Sequence, residues 1–155
     1  MELYLLRHAN ADTEAATDDA RTLSEKGIGQ SRKIGRFCEA HEIAPDIILT
    51  SPVRRAHETA KIVSEMLRTE MQIVRWLACG MQPAKALEHL LEHQKHERVM
   101  LVGHEPDFSQ FAAFLLGLPD GVQIRIRKAS LTRIDLPALT AGVGCLQYSI
   151  PCRYV

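Results

Sequence analysis

The chain alternates short, wholly apolar runs with longer stretches whose apolar residues recur every three or four positions. Leu3-Tyr4-Leu5-Leu6, Ile47-Ile48-Leu49 and Val99-Met100-Leu101-Val102 are continuous apolar runs. Runs of that length mark strands buried on both faces, as in a parallel sheet. Met71 to Leu77 predicts a further strand. Between them lie amphipathic segments. Ser24 is placed as the N-cap of a helix running to about Glu42. Pro52 suits the first turn of a second helix, striped by Ala56, Ala60, Val63 and Leu67. Ala84, Leu87 and Leu91 stripe a third, and Phe108, Phe111, Ala112 and Leu115 a fourth. Arg7 to Arg21 is polar and reads as a long loop. From Val122 onward the period changes to two. Val122 to Arg127, Leu131 to Leu136 and Cys145 to Ile150 predict antiparallel, half-exposed strands. Repeats, low-complexity segments and Ser/Pro-rich linkers are absent. The pattern as a whole predicts an α/β fold around a buried, largely parallel sheet.

Composition narrows the function without naming it. At 155 residues the chain predicts one domain, 1–155, able to bury a core without metal or disulfide staples. Nineteen basic residues balance nineteen acidic ones. That neutrality argues against nucleic acid or an anionic membrane as partner, since both normally need a cationic excess. Apolar runs stay short of the roughly 18–20 residues a membrane span needs. Glu2 stands where a signal peptide wants a base, so a cytoplasmic location is expected. Cys38, Cys79, Cys145 and Cys152 form no C-x-x-C pair. Reduced thiols are expected in preference to a Cys145–Cys152 disulfide.

Three of the buried strands end on polar side chains suited to one chemistry. The first runs into Arg7-His8. The second runs into Thr50-Ser51-Pro52, with Arg54 and Arg55 a turn later. The Val99–Val102 strand runs into Gly103-His104-Glu105-Pro106. In parallel α/β sheets ligands bind outside the carboxyl ends of the strands. If these strands are parallel neighbours, two histidines, at least two arginines and a carboxylate converge on one pocket. Arginine presents a planar fork that matches phosphate oxygens. The sequence carries no P-loop or Rossmann glycine pattern, so a phosphoryl donor simpler than a nucleotide is expected. A neutral histidine can attack phosphorus and hold it covalently, with the arginines and the second histidine stabilising charge in flight. This scheme requires no metal or other cofactor.

These residues resemble the histidine phosphatase superfamily, whose mark is Arg-His-Gly near the N-terminus. The short SixA-type phosphohistidine phosphatases are the most similar group. The resemblance rests on Leu6-Arg7-His8, on Arg-x-Leu-Ser-x-x-Gly at Arg21 to Gly27, on Leu-Thr-Ser-Pro-x-x-Arg-Ala at Leu49 to Ala56, and on Val-Gly-His-Glu-Pro at Val102 to Pro106. It spans nearly the whole chain in order and spacing. It implies a three-layer α/β/α sandwich of the phosphoglycerate mutase type, with antiparallel strands at the C-terminus. It also implies that His8 is the phosphorylated nucleophile and that Arg7, Arg55 and His104 bind the phosphoryl group. Asn10 and Arg21 are expected to line the site. Ala9 stands where the family has glycine, and glycine serves φ values that alanine dislikes.

The resemblance places a general acid in an insertion after the third strand or beside the second histidine. Here Ala78 to Pro83 is short and holds no acid, which leaves Glu105 as the candidate. An alcohol leaving group needs a proton donor at neutral pH. An imidazole can leave protonated without a strong one. A site without a lid also admits a residue presented on a protein surface. Both points favour a phosphohistidine-bearing protein as substrate and partner. The alternatives are a small-molecule phosphomonoesterase of the same superfamily and a non-catalytic phosphoprotein-binding module. His89, His93 and His96 are spaced i, i+4 and i+7, which could suit zinc, but their charged neighbours suggest a solvated face. Arg125-Ile126-Arg127-Lys128 is expected on the exposed side of a strand.

Overall fold

In the computed structural model, residues 1–119 and 124–155 are described. The element order is β1 (Glu2–Arg7), α1 (Glu25–Ala40), β2 (Ile47–Thr50), α2 (Arg54–Leu67), β3 (Met71–Ile73), α3 (Pro83–Leu91), β4 (Arg98–Gly103), α4 (Asp107–Leu116), β5 (Ser130–Asp135) and β6 (Cys145–Pro151). One sheet runs β3-β2-β4-β1-β5-β6. β1, β2, β3 and β4 are mutually parallel, β5 runs antiparallel to β1, and β6 runs antiparallel to β5. The three strands expected to share a site are therefore adjacent, with β4 in the middle.

The continuous apolar runs follow from this placement. Leu3, Leu5, Ile47, Leu49, Val99 and Leu101 pack on one face with Leu90 of α3 and Phe108, Phe111 and Leu115 of α4. Tyr4, Leu6, Ile48, Met100 and Val102 pack on the other with Ile34 of α1 and Ala56, Ala60 and Val63 of α2. Side chains that alternate in a strand must both find apolar partners when helices cover both faces. The result is a three-layer α/β/α sandwich.

Ser24 caps α1 as expected, accepting a hydrogen bond from the Gly27 amide at 3.1 Å. Gly27 itself is dictated by space. A Cβ there would lie 1.9 Å from the Asn10 carbonyl oxygen. Only glycine lets the first turn of α1 approach the segment that follows His8.

Several boundaries differ from the sequence reading. Pro52 precedes α2 by two residues, and Val53 is the N-cap. β3 stops at Ile73, and Arg75–Leu77 closes into a 3-10 turn that buries Leu77. The α3 face toward the core is Ala86 and Leu90, whereas Ala84 and Leu91 are exposed. α3 also ends at Leu91, so His93 and His96 lie beyond it and share no helical face with His89. Of the strand expected over Val122 to Arg127, Val122 and Gln123 lie outside the described residues, and 124–127 is not a strand. The Ile126 carbonyl accepts from Arg7 Nη1 at 2.9 Å rather than from a neighbouring strand. Its side chain is buried, which accounts for the alternation. All four cysteines are free thiols. No helix among the described residues is long and apolar enough to cross a membrane.

Candidate active site

Three parallel strand ends build the pocket. His8 leaves β1, and its amide bonds the Gly103 carbonyl at 3.0 Å. Ser51 leaves β2, and its amide bonds the Val102 carbonyl at 3.0 Å. His104 leaves β4. The two imidazoles stand 5.3 Å apart, centroid to centroid, at 50°. His8 is 7% exposed, His104 2% and Arg55 5%. The convergence inferred from the strand ends is present for His8, Arg55 and His104.

The orientation of His8 defines its chemistry. Nδ1 lies 2.8 Å from the Ala9 carbonyl oxygen. A carbonyl only accepts, so Nδ1 carries the proton and Nε2 carries the lone pair. Nε2 faces Arg55, whose Nε–H donates to it across 3.4 Å. Burial first, then the neighbouring His104 imidazole and the Arg55 and Arg7 guanidiniums, pushes the His8 pKa down to about 3, against the opposing Ala9 hydrogen bond. The ring is therefore a neutral base at physiological pH. His104 is also held neutral, at about 4, by burial first and Arg55 next, with Asp18 and Asp19 opposing. Its Nε2 is 2.8 Å from Ser51 Oγ, and its Nδ1 is buried without a partner.

The backbone holding His8 is braced from α2. Thr59 Oγ1 accepts from the Ala9 amide at 3.1 Å and donates to the Arg55 carbonyl at 2.8 Å. One hydroxyl thus couples the histidine's strand end to the arginine's helix. Ala9 does not adopt a positive φ, and its methyl is fully buried in the α1–α2 face of the core. Alanine therefore meets no backbone penalty here. Ala129 does have a positive φ, 52°, and its amide lies within hydrogen-bond distance of both the Arg7 and His8 carbonyls.

The remaining predicted residues divide. Arg7 sits at the pocket edge with Nη1 on the Ile126 carbonyl and a buried Nε without a partner. Glu105 is partly buried; Ser109 donates to its Oε2 at 2.6 Å, and Oε1 is buried without a partner. Burial raises its pKa, opposed by the Ser109 hydrogen bond and Arg7. Arg7 and Glu105 line one groove of about 560 Å³. Asn10 Oδ1 accepts a hydrogen bond from Ser24 Oγ at 2.9 Å, fastening the loop to the cap of α1. Arg21 bonds the Asp12 carbonyl at 2.6 Å and the Asp18 carboxylate at 2.8 Å. It acts on the loop rather than on His8.

Asp18 was not marked by the sequence. Its carboxylate is 3.0 Å from Arg55 Nη2, and its carbonyl accepts from Arg55 Nη1 at 2.8 Å. Arg21 and then Arg55 hold its pKa below the usual range, although the side chain is 63% exposed. Four acids stand between residues 12 and 19, so spacing alone gave no reason to single out one. Ser51 was legible only as part of Thr50-Ser51-Pro52.

The histidine phosphatase superfamily (branch 1) model matches residues 3–78. A phosphohistidine phosphatase SixA homolog of Haemophilus influenzae is 30% identical over 128 residues, covering 76% of this chain and 78% of that protein. Phosphohistidine phosphatase SixA of Escherichia coli is 30% identical over 67 residues, covering 43% of this chain and 42% of its own. The solved structure of the protein histidine phosphatase SixA complexed with tungstate superposes with a TM-score of 0.89 at 20% identity, over 99% of both chains. Sequence and fold agree: the chain belongs to the histidine phosphatase superfamily, and it is a phosphatase.

Proposed function

We propose that this phosphatase removes the phosphoryl group from a phosphohistidine on a protein, through a covalent intermediate on His8. The observation that carries the reading is the buried, neutral His8 with its Nε2 lone pair turned to Arg55. In the first step Nε2 forms a bond to phosphorus while the substrate's P–N bond breaks. The departing imidazole keeps that electron pair and takes a proton from Glu105. Arg7 Nε, the Arg55 guanidinium and His104 Nδ1 are the donors for the equatorial oxygens. In the second step water attacks phosphorus, its proton passes to Glu105, and phosphate leaves with His8 neutral again.

The leaving group favours phosphohistidine. Imidazole can leave protonated without a strong donor, so the single partly buried carboxyl of Glu105 suffices for it. The short connection from Ala78 to Pro83 is pinned by the Asp107 carboxylate, which accepts from the Gly80 amide at 2.9 Å. It brings no acid over the pocket, which leaves room for a protein surface. A cytoplasmic protein acting on a signalling relay accords with this. The test compares a phosphohistidine-bearing protein with p-nitrophenyl phosphate. Preferential turnover of the former is expected. Strong turnover of small esters with none of phosphohistidine would establish the small-molecule reading instead.

Asp18 makes a separate prediction. Its carboxylate occupies Arg55 and competes with any phosphoryl oxygen that Arg55 is to bind. Asp18→Asn is expected to lower the inhibition constant for inorganic phosphate roughly two- to fivefold, the scale of an exposed ion pair. An unchanged constant would mean that the carboxylate does not compete.

A further inference from the structure

A second groove, of about 450 Å³, opens on the other side of Arg7. Its lining includes Arg7, Lys26, Arg125, Arg127, Lys128 and Arg153 and, among the described residues, no carboxylate. The chain as a whole is neutral, with nineteen basic and nineteen acidic residues, so these cations are segregated. They come from four distant stretches: the end of β1, the first turn of α1, residues 125–128, and the turn after β6. Among the described residues, Lys26, Arg125, Arg127, Lys128 and Arg153 lie in none of the ion pairs. Like charges gathered without counter-charges repel one another. Lys128 feels it: its pKa is lowered by burial first, then by Arg7, Arg21, Arg55 and Lys26.

This arrangement is built into the site. The segment carrying Arg125, Arg127 and Lys128 is tied to the end of β1 in both directions. Arg7 Nη1 donates to the Ile126 carbonyl, and the Ala129 amide donates to the Arg7 and His8 carbonyls. The positive φ of Ala129 turns the chain there. The backbone that carries Arg125, Arg127 and Lys128 is thus anchored beside His8. They outnumber what a single phosphoryl group, already provided with Arg55 and His104, requires.

We infer that this basic groove seats an acidic segment of the protein substrate, beside the residue that enters the His8 pocket. The inference rests on the protein-phosphohistidine reading above. Carboxylates complement a groove of this charge. Among the described residues no aromatic side chain lines it, so they offer no stacking platform of the kind that single-stranded nucleic acid uses. Such contacts steer encounter and set specificity, and they weaken with salt.

The test uses the full chain and the Lys26→Gln/Arg127→Gln/Arg153→Gln triple variant. Binding of a fluorescent, unphosphorylated Glu-rich peptide is measured by anisotropy at low and high salt. Turnover is compared for two phosphohistidine peptides that differ only in acidic or neutral flanks. The wild type is expected to bind the Glu-rich peptide in a salt-sensitive way and to prefer the acidic substrate. The variant is expected to lose about tenfold in both binding and preference, the sum of three exposed charges. Absence of Glu-rich peptide binding, or equal binding by the variant, overturns the groove assignment even if both phosphohistidine peptides are hydrolysed. Groove binding without hydrolysis of either peptide overturns the phosphohistidine reading instead. If the groove residues raise turnover of fructose 1,6-bisphosphate over fructose 6-phosphate and not that of the acidic peptide, the groove serves a small second phosphate and the inference fails.

Discussion

His8→Ala is expected to reduce turnover on the order of 10⁴-fold or more, the scale on which losing a covalent nucleophile is felt. The expectation follows from geometry. Nε2 is the lone-pair nitrogen, it faces Arg55, and the ring is neutral at any pH well above 3. Binding by Arg7, Arg55 and His104 can hold a phosphoryl group but cannot replace the atom that accepts it. Two measurements check this together. Steady-state turnover reports the loss. Rapid quenching after incubation with a ³²P-phosphohistidine protein should recover label on the wild type and none on the variant. Circular dichroism guards against misfolding, since the lost ring is buried. Retained turnover in a folded His8→Ala protein would end the nucleophile assignment.

Stability should fall steeply as the solution is acidified from pH 8 to pH 5. An unfolded histidine titrates near 6.5, while His8 titrates at about 3 and His104 at about 4. Above the unfolded value both states are neutral and neither histidine contributes a pH dependence. As pH falls through 6.5 the unfolded chain gains two protons that the folded chain refuses, so the unfolded state is favoured. By pH 5 each ring costs about 2 kcal/mol, or about 4 kcal/mol together. Urea unfolding at a series of pH values measures this. In His8→Ala and in His104→Ala the drop between pH 8 and 5 should shrink by about half. Parallel curves for wild type and both variants would show that the rings are not held neutral.

The layout of the site was legible because it depends on few things. Apolar runs at Leu3–Leu6, Ile47–Leu49 and Val99–Val102 could only be strands covered on both faces, and each ended in polar residues. Their adjacency, with β4 between β2 and β1, then followed from the fold. What escaped the sequence was decided by tertiary contacts. Ile124–Arg127 alternates like a strand, yet its backbone serves Arg7 and its isoleucine serves the core. Asn10 lines the groove beside Arg7 while its Oδ1 holds Ser24, whereas the Arg21 side chain is engaged by the loop carrying Asp18. The tautomer of His8 is set by the Ala9 carbonyl, a backbone group that residue patterns do not display.

The sheet order also governs when the enzyme comes into being during synthesis. Residues 1–78 carry His8 and Arg55, but the two strands that present them do not touch each other. Each pairs with β4, which the ribosome makes later. A chain halted before Arg98 lacks the strand on which β1 and β2 both pair, and so leaves each without that partner. β4 pairs with both strands and carries His104 at its end, so the proposed site is complete only once that strand is in place. Until β4 is made, the edges of β1 and β2 that it will pair are open to wrong pairing, the hazard of any sheet completed by a late central strand.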